Sequence, residues 1–231
     1  MKNWWLLIIL FSFAIEAQEV PVDSLYKPDP HYLEDQLYFG ISYIAIKNLP
    51  EGLVQNGFSN AIKFGYIRDI PINERRNFGF GIGLGYSRDA YYHNLRISID
   101  ESDGSVDFQT LNTSDYESNS FALNKIDLPI EIRLRGSTAK KYRFWRLYAG
   151  GIISRVYGTS SNYVTKNVNV TYSGIQIINR WQYGLTLSLG YGTWNFNYYY
   201  GLSNIIKDDI QVDNHKVGMR NMNFGVIFYF L

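Results

Sequence analysis

The sequence predicts an all-β protein, an eight-stranded antiparallel transmembrane β-barrel. Three observations predict it. Apolar residues alternate with polar or small ones, with period two, in eight separate stretches. The connections between those stretches alternate between long and short, and the chain ends on an aromatic strand with no polar tail. Period-two alternation is the pattern of a strand with two different faces. Lipid outside, a polar interior, short turns at one end and long loops at the other give this arrangement in a membrane barrel.

The chain opens with Lys2, an apolar run from Trp4 to Ile15 and then Ile15-Glu16-Ala17. This reads as a cleaved secretory signal peptide over 1–17, since the run is too short for a membrane helix of roughly 20 residues. Residues 18–36 contain Pro21, Pro28 and Pro30 and read as a short polar periplasmic lead. The barrel is expected over 37–231.

The first strand, about Leu37 to Ile46, sets Leu37, Phe39, Ile41 and Tyr43 against Gly40 and Ser42. The second, Phe58 to Arg68, sets Ile62, Phe64 and Tyr66 against Ser59, Ala61, Lys63 and Gly65. In the third, Phe78, Phe80, Ile82, Leu84 and Tyr86 alternate with Gly79, Gly81, Gly83, Gly85 and Ser87. Four alternate glycines weaken a soluble strand, but in a narrow barrel they make room for large side chains from other strands. The fourth, Phe121 to Arg135, turns Ile126, Leu128, Ile130, Ile132 and Leu134 to lipid. The fifth, Arg143 to Tyr157, turns Trp145, Leu147, Ala149 and Ile153 outward. The sixth, Arg180 to Tyr191, sets Trp181, Tyr183, Leu185, Leu187 and Leu189 against Gln182, Gly184, Thr186, Ser188 and Gly190. The seventh sets Trp194, Phe196, Tyr198 and Tyr200 against Asn195 and Asn197. The eighth, from Asn221, points Met222, Phe224, Val226, Phe228 and Phe230 one way. Its polar Asn223, then Gly225, Phe228 and Phe230, has the spacing of the terminal signal read by barrel-insertion machinery.

The long connections, Lys47–Gly57, Asp89–Ser120, Gly158–Asn179 and Leu202–Arg220, read as polar external loops. The short ones, Asp69–Asn77, Gly136–Tyr142 and around Gly192, read as periplasmic turns. Both termini are then periplasmic and the protein sits in the cell outer membrane. A soluble lipocalin-like barrel is the alternative, but it buries its apolar set inside and crowds fewer aromatics at strand ends. Here aromatics reach 17%, as the interfacial girdles of a membrane barrel require.

Composition narrows the function. With no cysteine there is no lipid-anchor thiol, disulfide or thiol chemistry. A formal net charge of +1 gives no reason to expect nucleic acid. His31, His93 and His215 lack the paired spacing of a metal site, and no cofactor is expected. Ser87 near His93 is the one Ser–His proximity worth testing for catalysis, and no flanking motif supports it, so the protein is read as not an enzyme.

The inward rows carry Lys63, Lys125, Asp127, Glu131, Arg133, Arg135 and Arg146. Charges inside a sealed barrel must pair, so these are expected to form a lumen network, with Glu131 and Arg146 on adjacent strands as one pair. The network is either structural or a gate for a partner segment. The turn Asp69–Asn77 is richer than a turn needs: Ile70, Pro71 and Ile72 are followed by Glu74, Arg75 and Arg76. Either Ile70 and Ile72 plug the barrel end, or the turn docks a periplasmic partner through Arg75 and Arg76.

Two stretches resemble the PorT/SprT family, outer-membrane barrels required by the type IX secretion system. One is Gly65-Tyr66-Ile67-Arg68-Asp69-Ile70-Pro71-Ile72-Asn73-Glu74-Arg75-Arg76-Asn77; the other joins Leu128-Pro129-Ile130-Glu131-Ile132-Arg133-Leu134-Arg135 to Tyr142-Arg143-Phe144-Trp145-Arg146-Leu147-Tyr148. Glu34 to Gly40, Gln182 to Tyr191 and Thr193 to Phe196 resemble it as well, whereas the loops around Ser102–Tyr116 and Asn162–Gln176 carry little of it. The resemblance implies an accessory role in exporting cargo, in gliding motility in some members, and other type IX components as partners beside outer-membrane lipid. It implies no catalytic site. An eight-stranded lumen is too narrow for a folded protein, so the barrel is not expected to be the pore. The competing reading is a structural or adhesive outer-membrane protein that binds a ligand through its loops, on the strength of Asp89–Ser120.

Overall fold

The structure, a computed structural model, describes residues 35–230 except 101, 103–105, 113, 137–143, 208, 209, 213, 214 and 217, with the backbone alone over 211–216. The expected leader, nearly all of the lead, and most of the turn after Gly136 lie outside the described residues.

Eight strands close into one antiparallel barrel: β1 (Gln36–Lys47), β2 (Asn60–Pro71), β3 (Phe78–Tyr92), β6 (Ser118–Arg135), β7 (Trp145–Val164), β9 (Trp181–Tyr191), β10 (Trp194–Gly201) and β13 (Arg220–Phe230). Each pairs with the next in that order, and β13 pairs back onto β1, so no barrel strand keeps an open edge. The stagger can be read from the register. The row from Arg68 passes through Ile82, Ile130, Gly151, Leu185, Tyr200 and Met222 to Ala45. Gln36 opposite Ile67 places Asp35 at the start of the same row, a stagger of ten residues. Eight strands with that stagger tilt by roughly 40°, which leaves an interior just wide enough for side chains to fill.

The faces follow the alternation. Leu84, Phe196, Leu185 and Leu189 are at least half exposed, while Ile67, Arg133, Tyr148 and Ser188 on the inward rows are buried. An apolar exterior around a polar interior inverts a soluble barrel and removes the lipocalin-like alternative. The inward glycines have the role their spacing suggests. A β-carbon on Gly65 or Gly85 would collide with the Tyr38 hydroxyl, and one on Gly81 would meet the Arg133 side chain.

The long loops are not simply polar. β3 runs on to Tyr92, and the segment after it forms a hairpin of β4 (Leu95–Ile99) and β5 (Val106–Thr110). β6 and β7 continue past the barrel, with β8 (Asn169–Ser173) added to β7. β11 (Gln211–Val212) and β12 (His215–Lys216) form a further short pair. Leu53, Leu95, Ile97, Ile175, Ile178 and Ile205 pack with the upper inward residues Ile44, Tyr91, Phe121, Leu123 and Val156 into one buried apolar cluster. The loops therefore fold inward and cap the barrel mouth with aliphatic side chains.

Candidate functional site

The lumen is built in three layers. At the turn end, Arg133 and Arg135 project inward from the end of β6, and Asp69 from the end of β2. The Arg135 guanidinium pairs with Asp69 Oδ2, and its Nε donates to the Arg76 carbonyl at 2.7 Å. Arg133 is fully buried. Its Nη1 lies 3.7 Å from Asp69 Oδ1, its Nε 3.4 Å from Glu131 Oε2, and its Nη2 donates to Gln36 Oε1 at 2.9 Å. The guanidinium carbon sits 4.2 Å from the Tyr148 ring centroid and 5.5 Å from that of Tyr229. A planar cation held by two carboxylates, an amide and two rings meets the pairing that a buried charge needs, while its Nη1 faces Asp69 Oδ1 as an ion pair without a hydrogen bond.

In the middle layer, Lys63 Nζ donates to Asn197 Oδ1 at 2.5 Å, and Ser154 donates to Asp127 at 2.6 Å. A cavity of about 30 Å³ lies among Lys63, Lys125, Asp127 and Tyr199, room for about one water. Above it, Lys125 pairs with Asp89 at 2.6 Å. Asp89 also accepts from Tyr91 at 3.0 Å and from Asn221 at 3.2 Å. The apolar cap lies over this ring of polar groups.

Two expectations need correction. Glu131 and Arg146 do not meet, because the β6–β7 register sets Glu131 opposite Gly150 and brings Arg146 beside Arg135. Arg146 instead donates to the Gly192 carbonyl and lies over the Phe144 ring. Nor do Ile70 and Ile72 plug the barrel: both are about half exposed, Ile70 on the outward row of β2. The plug is ionic and centres on Asp69, which stands on the inward row at the end of β2 rather than in the turn. Asp69 continues the inward row Ala61, Lys63, Gly65, Ile67, and Asp89 likewise continues the row of Gly79 to Ser87. That continuity was the signal for both.

The turn itself is ordered by Asn73, whose side-chain oxygen accepts from the Phe78 amide at 3.3 Å, and by Arg76 N donating to the Asn73 carbonyl. Pro71 closes β2, Arg75 is exposed and Arg76 half-buried. On β13, Asn223 points into the lumen, Gly225 backs onto β1, and Phe230 faces outward, with Phe228 edge-to-face with Trp194 at 5.0 Å.

Ser87 and His93 do not form a catalytic pair. Ser87 is buried in the lumen on β3, and His93 lies six residues farther along the chain, roughly 20 Å for an extended strand. Among the described residues no group of acidic residues, histidines or cysteines is placed to hold a metal. His93 instead belongs to the cap. Its Nδ1 accepts from the Leu95 amide at 3.1 Å, its ring lies 5.0 Å from Phe121, and Nε2 has no hydrogen-bond partner among the described residues. Burial in this apolar surrounding pushes its pKa down from 6.5 to about 4.

Between about pH 6.5 and 4 the unfolded loop binds a proton that the folded cap refuses, so the stabilisation present above 6.5 declines as the pH falls, by at most about 1.4 kcal/mol per pH unit. Hydrogen exchange at the Leu95 and Asn119 amides, corrected for intrinsic rates, is expected to lose protection from pH 7.5 to 5 in the parent and much less in His93→Gln. Equal loss in both would show that another group governs the cap.

Residues 17–207 match the family described as outer membrane protein beta-barrel domain. No curated protein matches the sequence. Among solved structures, Ail, the attachment invasion locus protein of Yersinia pestis, solved in complex with the heparin analogue sucrose octasulfate, aligns over 85% of this chain and 99% of its own. The identity is 11% and the TM-score 0.33.

Proposed function

This chain belongs to the outer membrane protein beta-barrel domain family, and we propose that it serves as an accessory barrel of the type IX secretion system, needed for cargo export but not itself the pore. The resemblance to the PorT/SprT family over nearly the whole of the expected barrel supports the system, and with it gliding motility where the organism glides. The observation that carries the accessory role is the filled lumen: an ionic plug at the turn end, a cavity of only about 30 Å³ in the middle and an apolar cap at the loop end. On this reading no folded protein crosses such an interior, and the protein acts through its surfaces. On this reading the leader 1–17 is cleaved, both termini and the Asp69–Asn77 turn are periplasmic, and that turn offers Ile70, Pro71, Ile72, Arg75 and Arg76 to another type IX component.

Deleting the gene is expected to leave cargo in the periplasm. Normal export from a deletion strain that has no second copy of the gene would end the proposal. Arg75→Glu with Arg76→Glu separates docking from architecture, since Arg75 is exposed and such a charge contributes little to stability, while migration on unheated gels reports whether the change at half-buried Arg76 is tolerated. The double variant is expected to insert and fold but to export poorly. Parental export by a folded double variant would remove the docking role of the turn.

A second reading has one observation in its favour. β6, β7 and β8 form a sheet that stands beyond the barrel beside the β4–β5 hairpin, a surface suited to an adhesive or structural protein. Replacing the β4–β5 hairpin, residues 95–110, with a short turn, which leaves Asp89 and its pair with Lys125 in place, discriminates: lost ligand binding with export intact would favour adhesion.

A further inference from the structure

The outer wall has a charge asymmetry that closing a barrel does not require. Every carboxylate on the eight barrel strands, Asp69, Asp89, Asp127 and Glu131, points into the lumen. The charged residues on outward rows are all cations: Arg68 at the turn end, and Lys47, Arg88, Arg155 and Arg220 at the loop end. A whole-chain net charge of only +1 means that this segregation does not come from a basic composition.

Lys47 and Arg220 are directly opposite in the β1–β13 register, and both point outward. Like charges so placed destabilise a sheet, yet among the described residues no carboxylate lies within ion-pair distance of either. Their contacts are neutral. Arg220 Nε donates to Asn204 Oδ1 at 2.9 Å, while Lys47 Nζ lies 3.4 Å from the Tyr200 hydroxyl and 5.4 Å from its ring centroid. The same holds farther round, where Arg88 donates to Asn124 at 3.0 Å and Arg155 lies 5.0 Å from the Trp181 ring. These partners position the cationic heads without neutralising them.

We propose that this collar, centred on Lys47 and Arg220, binds the phosphate groups of anionic lipid headgroups in the leaflet at the loop end. Guanidinium and ammonium groups side by side suit a phosphate, Arg with its paired donors and Lys as a point charge. The location selects a lipid over a soluble anion. Lys47 ends the outward row Leu37, Phe39, Ile41, Tyr43, Ala45, and Arg220 begins the row Met222, Phe224, Val226. A headgroup held there lays its chains along the exposed wall of Tyr43 and Phe224.

The test is native mass spectrometry of the barrel folded in neutral detergent, with added bisphosphorylated lipid A, the same lipid dephosphorylated, or inorganic phosphate. The parent is expected to retain the bisphosphorylated lipid in preference to the dephosphorylated one. Lys47→Gln with Arg220→Gln should weaken that binding by roughly tenfold or more. Arg75→Gln, in the turn at the other end, should leave it unchanged. Heat-modified migration on gels reports folding, and Lys47→Gln alone, at the exposed end of β1, serves if the double variant does not fold. Equal retention of the two lipids, unchanged affinity in the Lys47 and Arg220 variants, or competition by inorganic phosphate as strong as by the lipid would each overturn the proposal.

Discussion

Replacing Asp69 with Ala is expected to destabilise the barrel by about 3–5 kcal/mol, the usual cost of removing one partner from a buried charge cluster. Asp69 is fully buried and is the carboxylate shared by Arg133 and Arg135. Without it Arg133 retains Glu131 and Gln36, whereas Arg135 loses this carboxylate, its closest ion-pair contact among the described residues. Two guanidiniums at the end of one strand then repel through a medium that screens them poorly. Asp69→Asn should cost less, because an amide oxygen still accepts from Arg135. The measurement is urea unfolding of the barrel in lipid vesicles, followed by migration on unheated gels. A loss below about 1 kcal/mol for the Ala variant would mean that water reaches the turn end and the plug is not sealed.

The second large effect is expected at Phe121. This ring is buried in the cap, stacked on Tyr91 at a centroid distance of 4.4 Å and beside His93. Truncation of a buried Phe to Ala typically costs about 3–5 kcal/mol, and here the cavity opens under the loops rather than within the membrane-spanning sheet. Phe121→Ala should therefore expose the β4–β5 hairpin to protease while the barrel stays folded on gels. If the loops resist protease as in the parent while global unfolding shifts, the cap and the barrel are one cooperative unit. If neither changes, the cap contributes little to order.

The fold was legible because its signal is local. Whether Leu84 faces lipid or lumen depends only on the alternation around it, and the interior of β3 reads as glycine because Tyr38 and Arg133 occupy the space. The candidate site was legible only in part. The inward row of β6 gave Lys125, Asp127, Glu131, Arg133 and Arg135 together, but Asp69 was obscured by the Ile70-Pro71-Ile72 run that suggested the chain had already left the barrel. The cap was obscured by composition. Leu95, Ile97, Ile175, Ile178 and Ile205 are scattered through polar segments, and only packing gathers them over the mouth.

By itself the sequence determined eight strands, which residues face in, and short connections at one end, since a pleated backbone sends successive side chains to opposite faces whatever lies beyond. Partnership was decided by the tertiary structure. Closing the barrel with a stagger of ten residues slides each strand along its neighbour. That slide sets Glu131 opposite Gly150 rather than Arg146, brings Asp69 beneath two arginines, and leaves Lys47 facing Arg220 on the outer wall. The stagger is a property of all eight pairings at once, and no single stretch of the chain contains it.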